Sequence, residues 1–342
     1  CSSDLDGLVA ASSDDPQALA KSAAAKTAGE RTAELGDQTG RGKTLDIVLV
    51  SRKINEVPGR RRRDLVQLVG QKQLALMIVA IGSLRREAAG IIRSGEYTAI
   101  EAPEDFVAYR SESEERPAIV LSGSGTDRSA RATKWAIEEF SPEAIISFGF
   151  CGATKNYARS GDIVIAARVL DLPGSPFEWS IVDDTNSIKP DRTMLLAART
   201  AVEISGLDFH HGTIVTISKV ATTSGAKKWL GEALNSTAAV TSAQTIAATS
   251  SAAGIPWAVV ASVLDDRDSD SPSVVDRLGS GPSERGMTAY IKHVFNTPQD
   301  IPALMRLRRS STRASASLAT FMTAFTQAHT ALTKVEQPET PE

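Results

Sequence analysis

"AIVLSGSGTDRSARATKWAIEEF", residues 118–140, joins an apolar run to a helical pattern through two Ser-Gly pairs. Ala118–Leu121 is apolar throughout, which is typical of a strand covered on both faces of a sheet. After the turn at Ser122–Gly125, residues suited to one helix face recur at Ala130, Thr133, Ile137 and Phe140. The stretch therefore predicts a buried strand, a tight glycine turn and a helix, which is the order found in α/β folds.

The same alternation of apolar runs and helical patterns continues along the chain. Further apolar runs, each of strand length, lie at residues 74–82, 144–152, 161–170, 212–217 and 256–266. Helical patterns lie between them at 191–206, with Asp191 as N-cap and Gly206 as stop, and at 241–254, closed by Gly254. A last helical stripe contains Leu318, Phe321, Met322 and Phe325. Interleaved strands and helices predict an α/β domain whose sheet is covered on both faces.

The chain divides into three parts by composition. Residues 1–70 are predicted to be disordered or an extension, because the first 44 contain almost no large apolar residues. Residues 71–335 hold the apolar runs and form the predicted α/β domain. Residues 336–342 form a polar tail.

Charge, cysteine content and hydropathy limit the function classes. The net charge of −3 over 342 residues provides no general attraction to nucleic acid or to an anionic membrane. The longest apolar run, Leu74–Ile81, is too short for a membrane helix, so we expect no integral membrane segment. Cys1 and Cys151 cannot form a disulfide framework, which favours a reducing compartment and a cytoplasmic location.

Four predicted strands end in residues suited to a ligand site. Gly82, the turn at 122–125 and the segment 149–152 allow close approach to the backbone, and Asp265 lies at the end of the run at 256–266. Ligands of open α/β sheets bind at the carboxyl ends of strands, so these positions form a candidate site. The alternatives are a glycine turn without a ligand and, for Asp265, Asp266 and Asp268, binding of a hard cation or capping of a loop. Glu87 is also a common type of residue at a helix start.

Taken in order, "VAIGSLRREA", "VLSGSGTDRSA", "SFGFCGATKNYARSGDIVIA" and "GIPWAVVASVLDD" resemble the nucleoside phosphorylase and methylthioadenosine/S-adenosylhomocysteine nucleosidase superfamily. "SFGFCGA" and "TPQDIPALMRLRRSSTRASASLATFM" are similar to its hopanoid-associated phosphorylase branch, which acts on adenosylhopane. The resemblance covers about residues 74–327. It implies a three-layer α/β/α fold with a central twisted mixed sheet.

The resemblance also implies a reaction, the release of adenine from a purine nucleoside through an oxocarbenium-like transition state. It assigns the acid that protonates the purine N7 to Asp265 and the carboxylate that positions or activates water to Glu87. Protonation of Asp265 requires an apolar site, which Val263 and Leu264 are expected to provide. The implied substrate-binding positions are Gly82, Ser122, Gly123, Gly125, Gly149, Phe150, Cys151, Gly152, Val220 and Ser242.

Two departures from the family pattern bear on the nucleophile and the sugar. The glutamate that binds the ribose hydroxyls is replaced near Thr241-Ser242, where no carboxylate is present. Ser147 and Phe150 occupy the region in which phosphorylases clamp phosphate, which favours water as nucleophile while phosphate stays open as a co-substrate. No cofactor and no metal are expected.

Two other function classes stay open. A non-catalytic or decayed nucleoside-binding protein of the same fold is favoured by the departure at Ser242. A dinucleotide-binding oxidoreductase fits less well, because "SGSGTDRS" is not G-x-G-x-x-G.

Cys151 has two interpretations, a catalytic nucleophile and a small hydrophobic residue buried in the core, and the second is favoured. By analogy with the family, the chain is expected to act on a small-molecule nucleoside as a homo-oligomer, at least a dimer.

Overall fold

The computed structural model describes residues 77–113, 115–172, 187–270 and 301–336. The chain separates into two units, Cys1–Gln73 and Leu74–Glu342, and all described residues belong to the second. The predictions for residues 1–70 and for the tail after residue 336 lie outside the described residues, and the boundaries of the three parts stay predictions. In the part of the chain that the structure describes, no helix is long and apolar enough to cross a membrane.

Ten strands and six helices are described. The strands are β1 (Ile78–Gly82), β2 (Tyr97–Ile100), β3 (Val107–Ser111), β4 (Ala118–Leu121), β5 (Ala144–Ala153), β6 (Ile163–Leu172), β7 (Ser187–Ile188), β8 (Phe209–Ile217), β9 (Ser236–Val240) and β10 (Trp257–Asp265). The helices are α1 (Arg85–Ser94), α2 (Thr126–Phe140), α3 (Arg192–Ser205), α4 (Ser224–Ala233), α5 (Ala243–Ala252) and α6 (Ile301–Glu336).

All ten described strands belong to one mixed sheet in the order β10-β6-β8-β9-β5-β1-β4-β3-β2, with β7 paired to β6. Strand β5 lies at its centre and is parallel to both β1 and β10. Past the end of β1, β5 pairs antiparallel with β9 through Gly152 and Ala153. Since β5 thus meets both β9 and β10, the strands β5, β10, β6, β8 and β9 close into a ring.

Helices cover both faces of the sheet, which confirms the predicted three-layer arrangement. Along β1, Ile78 and Ala80 pack in a core with residues of α1, α3 and α6. The alternate residues, Val79 and Ile81, pack on the other face with residues of α2 and α5. Because successive strand residues point to opposite faces, a run that is apolar throughout requires two such layers.

The helix signals in the sequence correspond to real boundaries. The Asp191 carboxylate accepts hydrogen bonds from the backbone N–H groups of Thr193 and Met194 at 2.9 and 3.0 Å, and so caps α3. Gly206 follows α3 in the left-handed region at φ 65°. The predicted stripe on α6, from Leu318 to Phe325, is buried.

Local sequence patterns did not predict strands β2, β3, β7 and β9 or helix α4. Strands β2 and β3 form an antiparallel extension at the edge of the sheet, and β2 has no fully buried residue, so its sequence lacks an apolar run. Strand β9 reads "STAAV", in which only Val240 is a large apolar residue, so it lacks the apolar run of a buried strand. Helix α4 contains Lys227 and Lys228, and two adjacent lysines are typical of a solvent-exposed segment.

The packing of α6 against the sheet gives a stability prediction. Leu318→Ala, at a fully buried site, is expected to lower the free energy of unfolding by about 2–5 kcal/mol, because it leaves a cavity in the core. The same substitution at Leu196, which is 50% exposed on α3, is the matched control and is expected to cost far less. Urea unfolding of both variants measures the difference, and equal losses would contradict the described packing of α6.

Candidate active site

The glycine turns after β1 and β4 lie side by side. The N–H of Ser122 donates to the carbonyl of Gly82, and the N–H of Gly123 donates to the carbonyl of Ser83, both at 3.0 Å. Gly123 and Gly125 have φ values of 74° and 113°, a region that favours glycine. The Ser122 hydroxyl is buried and donates to the carbonyl of Gly123 at 2.8 Å. These bonds bring Gly82, Ser122 and Gly123 together at the carboxyl edge of the sheet.

Glu87 links the start of α1 to the centre of the sheet. Its Oε2 accepts the N–H groups of Ser83 and Leu84 at 2.9 and 2.8 Å, as a residue in the first helical turn does. Its Oε1 accepts the N–H of Phe150 on β5 at 3.0 Å. Burial raises the pKa of this carboxyl above its ordinary range, and the three backbone hydrogen bonds oppose that rise. The helix-start alternative is therefore correct as a description, yet the same carboxylate also reaches β5.

A small cavity opens beside Glu87. Its volume is about 30 Å³, enough for one or two water molecules. Among its lining residues are Ser83, Glu87, Ser242 and the β5 segment 147–150. The hydroxyls of Ser83 and Ser242 are 3.1 Å apart, and either one can be the donor. Ser242, near which the resemblance leads us to expect a glutamate, thus forms a neutral pair of hydroxyls with Ser83.

Asp265 ends β10 opposite Gly152 of β5. Its side chain is 16% exposed, and its Oδ2 lies 2.6 Å from the Nζ of Lys227. A methyl group built on Gly152 would lie 3.6 Å from Asp265 Oδ1, so this oxygen faces the glycine segment of β5. The apolar site expected from Val263 and Leu264 is wrong on this side, because the buried ammonium group of Lys227 contacts the Asp265 carboxyl.

Lys227 is a residue that the sequence reasoning missed. It lies on α4, is fully buried, and donates to Asp265 Oδ2 and to the carbonyl oxygens of Asp266 and Ser269. Its only sequence signal is spacing, because it shares the buried face of α4 with Leu230 and Gly231, three and four positions later.

The two predicted carboxylates meet the same short segment of β5. Glu87 contacts the backbone of Phe150, and Asp265 faces Gly152 two positions later. Two positions of a strand correspond to about 7 Å. The cavity, Gly149 and both carboxyl groups therefore surround one segment of β5, residues 149–152.

The remaining predicted residues lie apart from this arrangement or face away from it. The Cys151 side chain packs in an apolar cluster with Ala153 and Val263. Burial, reinforced by the charges of Asp265 and Asp162, raises the pKa of the Cys151 thiol far above its usual range, which favours the buried alternative over a nucleophile. Val220 is 40% exposed in the loop after β8, and Gly125 is exposed at the start of α2.

The loop after Asp265 is held by its other carboxylates. Asp266 Oδ1 accepts the N–H of Ser160 at 2.9 Å, and Asp268 pairs with Lys228 at 3.2 Å on the surface. Both therefore act as loop contacts, as their alternative interpretation held. Among the described residues, no three His, Cys, Asp or Glu side chains are grouped as metal ligands.

Comparison with known proteins adds a family and a fold. Residues 77–280 match the model of the phosphorylase superfamily. A 5′-methylthioadenosine/S-adenosylhomocysteine nucleosidase of Shewanella piezotolerans is 30% identical over 138 residues, which is 38% of this chain and 60% of that protein. The match thus spans less than two thirds of this relative.

Solved structures share the fold at low sequence identity. A Helicobacter pylori 5′-methylthioadenosine/S-adenosylhomocysteine nucleosidase superposes with a TM-score of 0.58 at 14% identity, over 75% of this chain and 99% of that chain. The Neisseria meningitidis nucleosidase in complex with methylthio-immucillin-A gives 0.55 at 21% identity, over 74% and 99%. A futalosine hydrolase of Helicobacter pylori gives 0.57 at 13% identity, over 74% and 98%.

Glu87 gives a pH-dependent stability prediction. Its pKa is raised by folding, so the folded chain holds this proton at pH values where the unfolded chain has released it. The resulting contribution is present below the ordinary value of 4.5 and is lost as pH rises through the folded-state pKa. Urea unfolding across pH 4.5 to 8 is therefore expected to show a steeper decline with pH for the wild type than for Glu87→Gln. Glu138→Gln, on the exposed side of α2, controls for removal of a charge, and parallel curves for the wild type and Glu87→Gln would contradict the assignment.

Proposed function

We propose that this chain, which belongs to the phosphorylase superfamily, cleaves the N-glycosidic bond of a purine nucleoside. The observation that carries the proposal is the approach of Glu87 and Asp265 to one glycine-containing segment of β5. Two carboxyl groups on either side of a breaking bond suit glycoside chemistry, in which one protonates the leaving group and the other acts on the nucleophile.

In the proposed reaction, Asp265 is the general acid, and it takes up a proton from water before it reacts, because it is paired with the Lys227 ammonium. Its proton passes to N7 of the purine, the bond between the sugar C1′ and N9 breaks, and the bonding electrons remain on the departing base. The sugar develops oxocarbenium character, to which a water oxygen adds. Glu87 accepts the proton that this water releases, and its raised pKa makes it a stronger base than an ordinary carboxylate.

Water is the nucleophile that the site favours. The cavity beside Glu87 has the size of one or two waters, and its lining includes the hydroxyl groups of Ser83 and Ser242. Arg85 and Arg86 are the cations nearest to Glu87 in sequence, and both are exposed at the start of α1. Phosphate as a co-substrate is the alternative, and we propose no cofactor.

The finer parts of the proposal rest on resemblance. The similar nucleosidases are named for methylthioadenosine and S-adenosylhomocysteine, so adenine is the proposed leaving base. The similarity to the hopanoid-associated branch extends the proposal to adenosylhopane as a candidate substrate. A homo-oligomer and a cytoplasmic location stay predictions, and size-exclusion chromatography with light scattering tests the first.

A second candidate is a nucleoside-binding protein without turnover. The hydroxyl pair of Ser83 and Ser242 favours it, because hydrogen bonds to a neutral hydroxyl are weaker than those to an ionised carboxylate. Such a protein binds adenine or a nucleoside in a calorimetric titration and releases no base.

The proposed function predicts base release that depends on Asp265. The purified chain, incubated with 5′-methylthioadenosine and other 5′-substituted adenosines, is expected to release adenine, measured by chromatography with and without phosphate. Asp265→Asn is expected to lower kcat by about 10²–10⁴-fold, because an amide cannot supply the proton. Asp268→Asn, in the same loop but on the surface, is the matched control and is expected to keep wild-type activity.

Three results separate the alternatives. Release that requires phosphate makes the chain a phosphorylase instead of a hydrolase. Binding without release favours the second candidate. Full activity of Asp265→Asn overturns the assigned acid.

A further inference from the structure

Lys227 is a fully buried cation whose hydrogen bonds are all directed at one loop. Its Nζ lies 2.6 Å from Asp265 Oδ2, 2.7 Å from the carbonyl oxygen of Asp266 and 2.6 Å from that of Ser269. An ammonium group has three N–H donors, and these three acceptors use all of them. The group is therefore an ammonium ion held by one carboxylate and two carbonyls.

The loop that receives these bonds is built around the cation. The carbonyl of Asp266 also accepts the backbone N–H and the hydroxyl of Ser269, at 3.2 and 2.8 Å. Asp270 Oδ1 accepts the N–H of Ser224 at the start of α4, at 2.6 Å. These contacts bring residues 265–270 back onto α4, so that Lys227 and Asp265 are held in a set relation to each other.

We propose that Lys227 is the positioning residue of the general acid: it holds Oδ2 of Asp265, turns Oδ1 toward Gly152, and stabilises the carboxylate left when the proton departs. The inference rests on the proposed function, because it concerns the same proton transfer. Gly152 lies against both side chains, since a methyl group added to it would be 3.5 Å from Lys227 Cδ and 3.6 Å from Asp265 Oδ1. The pair therefore borders β5 at the proposed substrate position.

The proton balance of this step is simple. The resting pair is a carboxylate and an ammonium, so Asp265 first takes up a proton from water on Oδ1 while Oδ2 continues to accept from the ammonium. The proton moves from Oδ1 to N7 of the purine, and the electron pair of the O–H bond stays on the carboxylate. Lys227 keeps its three hydrogens throughout. The negative charge that appears on Asp265 forms beside a cation already in place, which is the arrangement that favours a transition state in which charge develops.

A purely structural explanation accounts less well for this lysine. Lysine is almost never fully buried unless it is paired, and replacing a buried ion pair with apolar residues often leaves stability unchanged or raises it. The neighbouring Lys228 is exposed and pairs with Asp268 at the surface. The buried position therefore keeps a charge that packing alone does not require.

The test compares two leaving groups. A purine needs a proton to depart, whereas 4-nitrophenolate departs from 4-nitrophenyl β-D-ribofuranoside without one. Lys227→Met is expected to lower kcat on 5′-methylthioadenosine by about 100-fold or more and to change kcat on the nitrophenyl riboside by about fivefold or less. Asp265→Asn is expected to show the same split, and Lys228→Met is expected to behave as wild type on both substrates.

The outcomes are distinguishable from those of the proposed function. A wild-type protein that cleaves neither substrate overturns the proposed function, and the inference falls with it. A wild-type protein that cleaves both, with equal losses on both for Lys227→Met, overturns the inference alone, because a general structural defect affects the two leaving groups alike. Lys227→Gln keeps two N–H donors without the charge, so it replaces the methionine variant if that variant does not fold by circular dichroism.

Discussion

The close approach of ionisable side chains to the backbone of β5 is the constraint on which the candidate site depends. A methyl group built on Gly149 would lie 3.0 Å from Glu87 Oε1, which is tighter than most real contacts of this kind. At Gly152 the corresponding distances to Lys227 and Asp265 are ordinary van der Waals contacts. Gly149 therefore sets how near the Glu87 carboxylate can come to the strand, and the hydrogen bond to Phe150 depends on that approach.

Both buried ionisable side chains near β5 are held by local backbone groups. Glu87 receives three N–H donors from Ser83, Leu84 and Phe150, and Lys227 gives its donors to two carbonyls and one carboxylate. Burying a charge is expensive unless such partners replace its water. The partners come from separate parts of the chain, so the site forms only when the sheet and the loop after β10 are both in place.

The sequence predicted the fold well where local chemistry decides it. Runs that are apolar throughout predicted the buried strands, and Asp191 with Gly206 predicted both ends of α3. The stripe on α2 was less accurate: Thr133 is buried, but Ile137 and Phe140 are only half-buried, because the face turned inward is made of the smaller Ser129, Ala132, Thr133 and Ala136. Small residues give a weak periodic signal, although they let a helix pack closely.

The site was predicted in outline, and its electrostatics were not. Strand ends and the resemblance pointed to Glu87 and Asp265. The lysine beside Asp265, Lys227, lies 38 residues away in sequence, and no local pattern predicts a contact over that distance. The pair of hydroxyls at Ser83 and Ser242 has a different consequence. Each can rotate its hydrogen, so this wall of the cavity can face a donor or an acceptor with equal ease, whereas a carboxylate would admit donors alone.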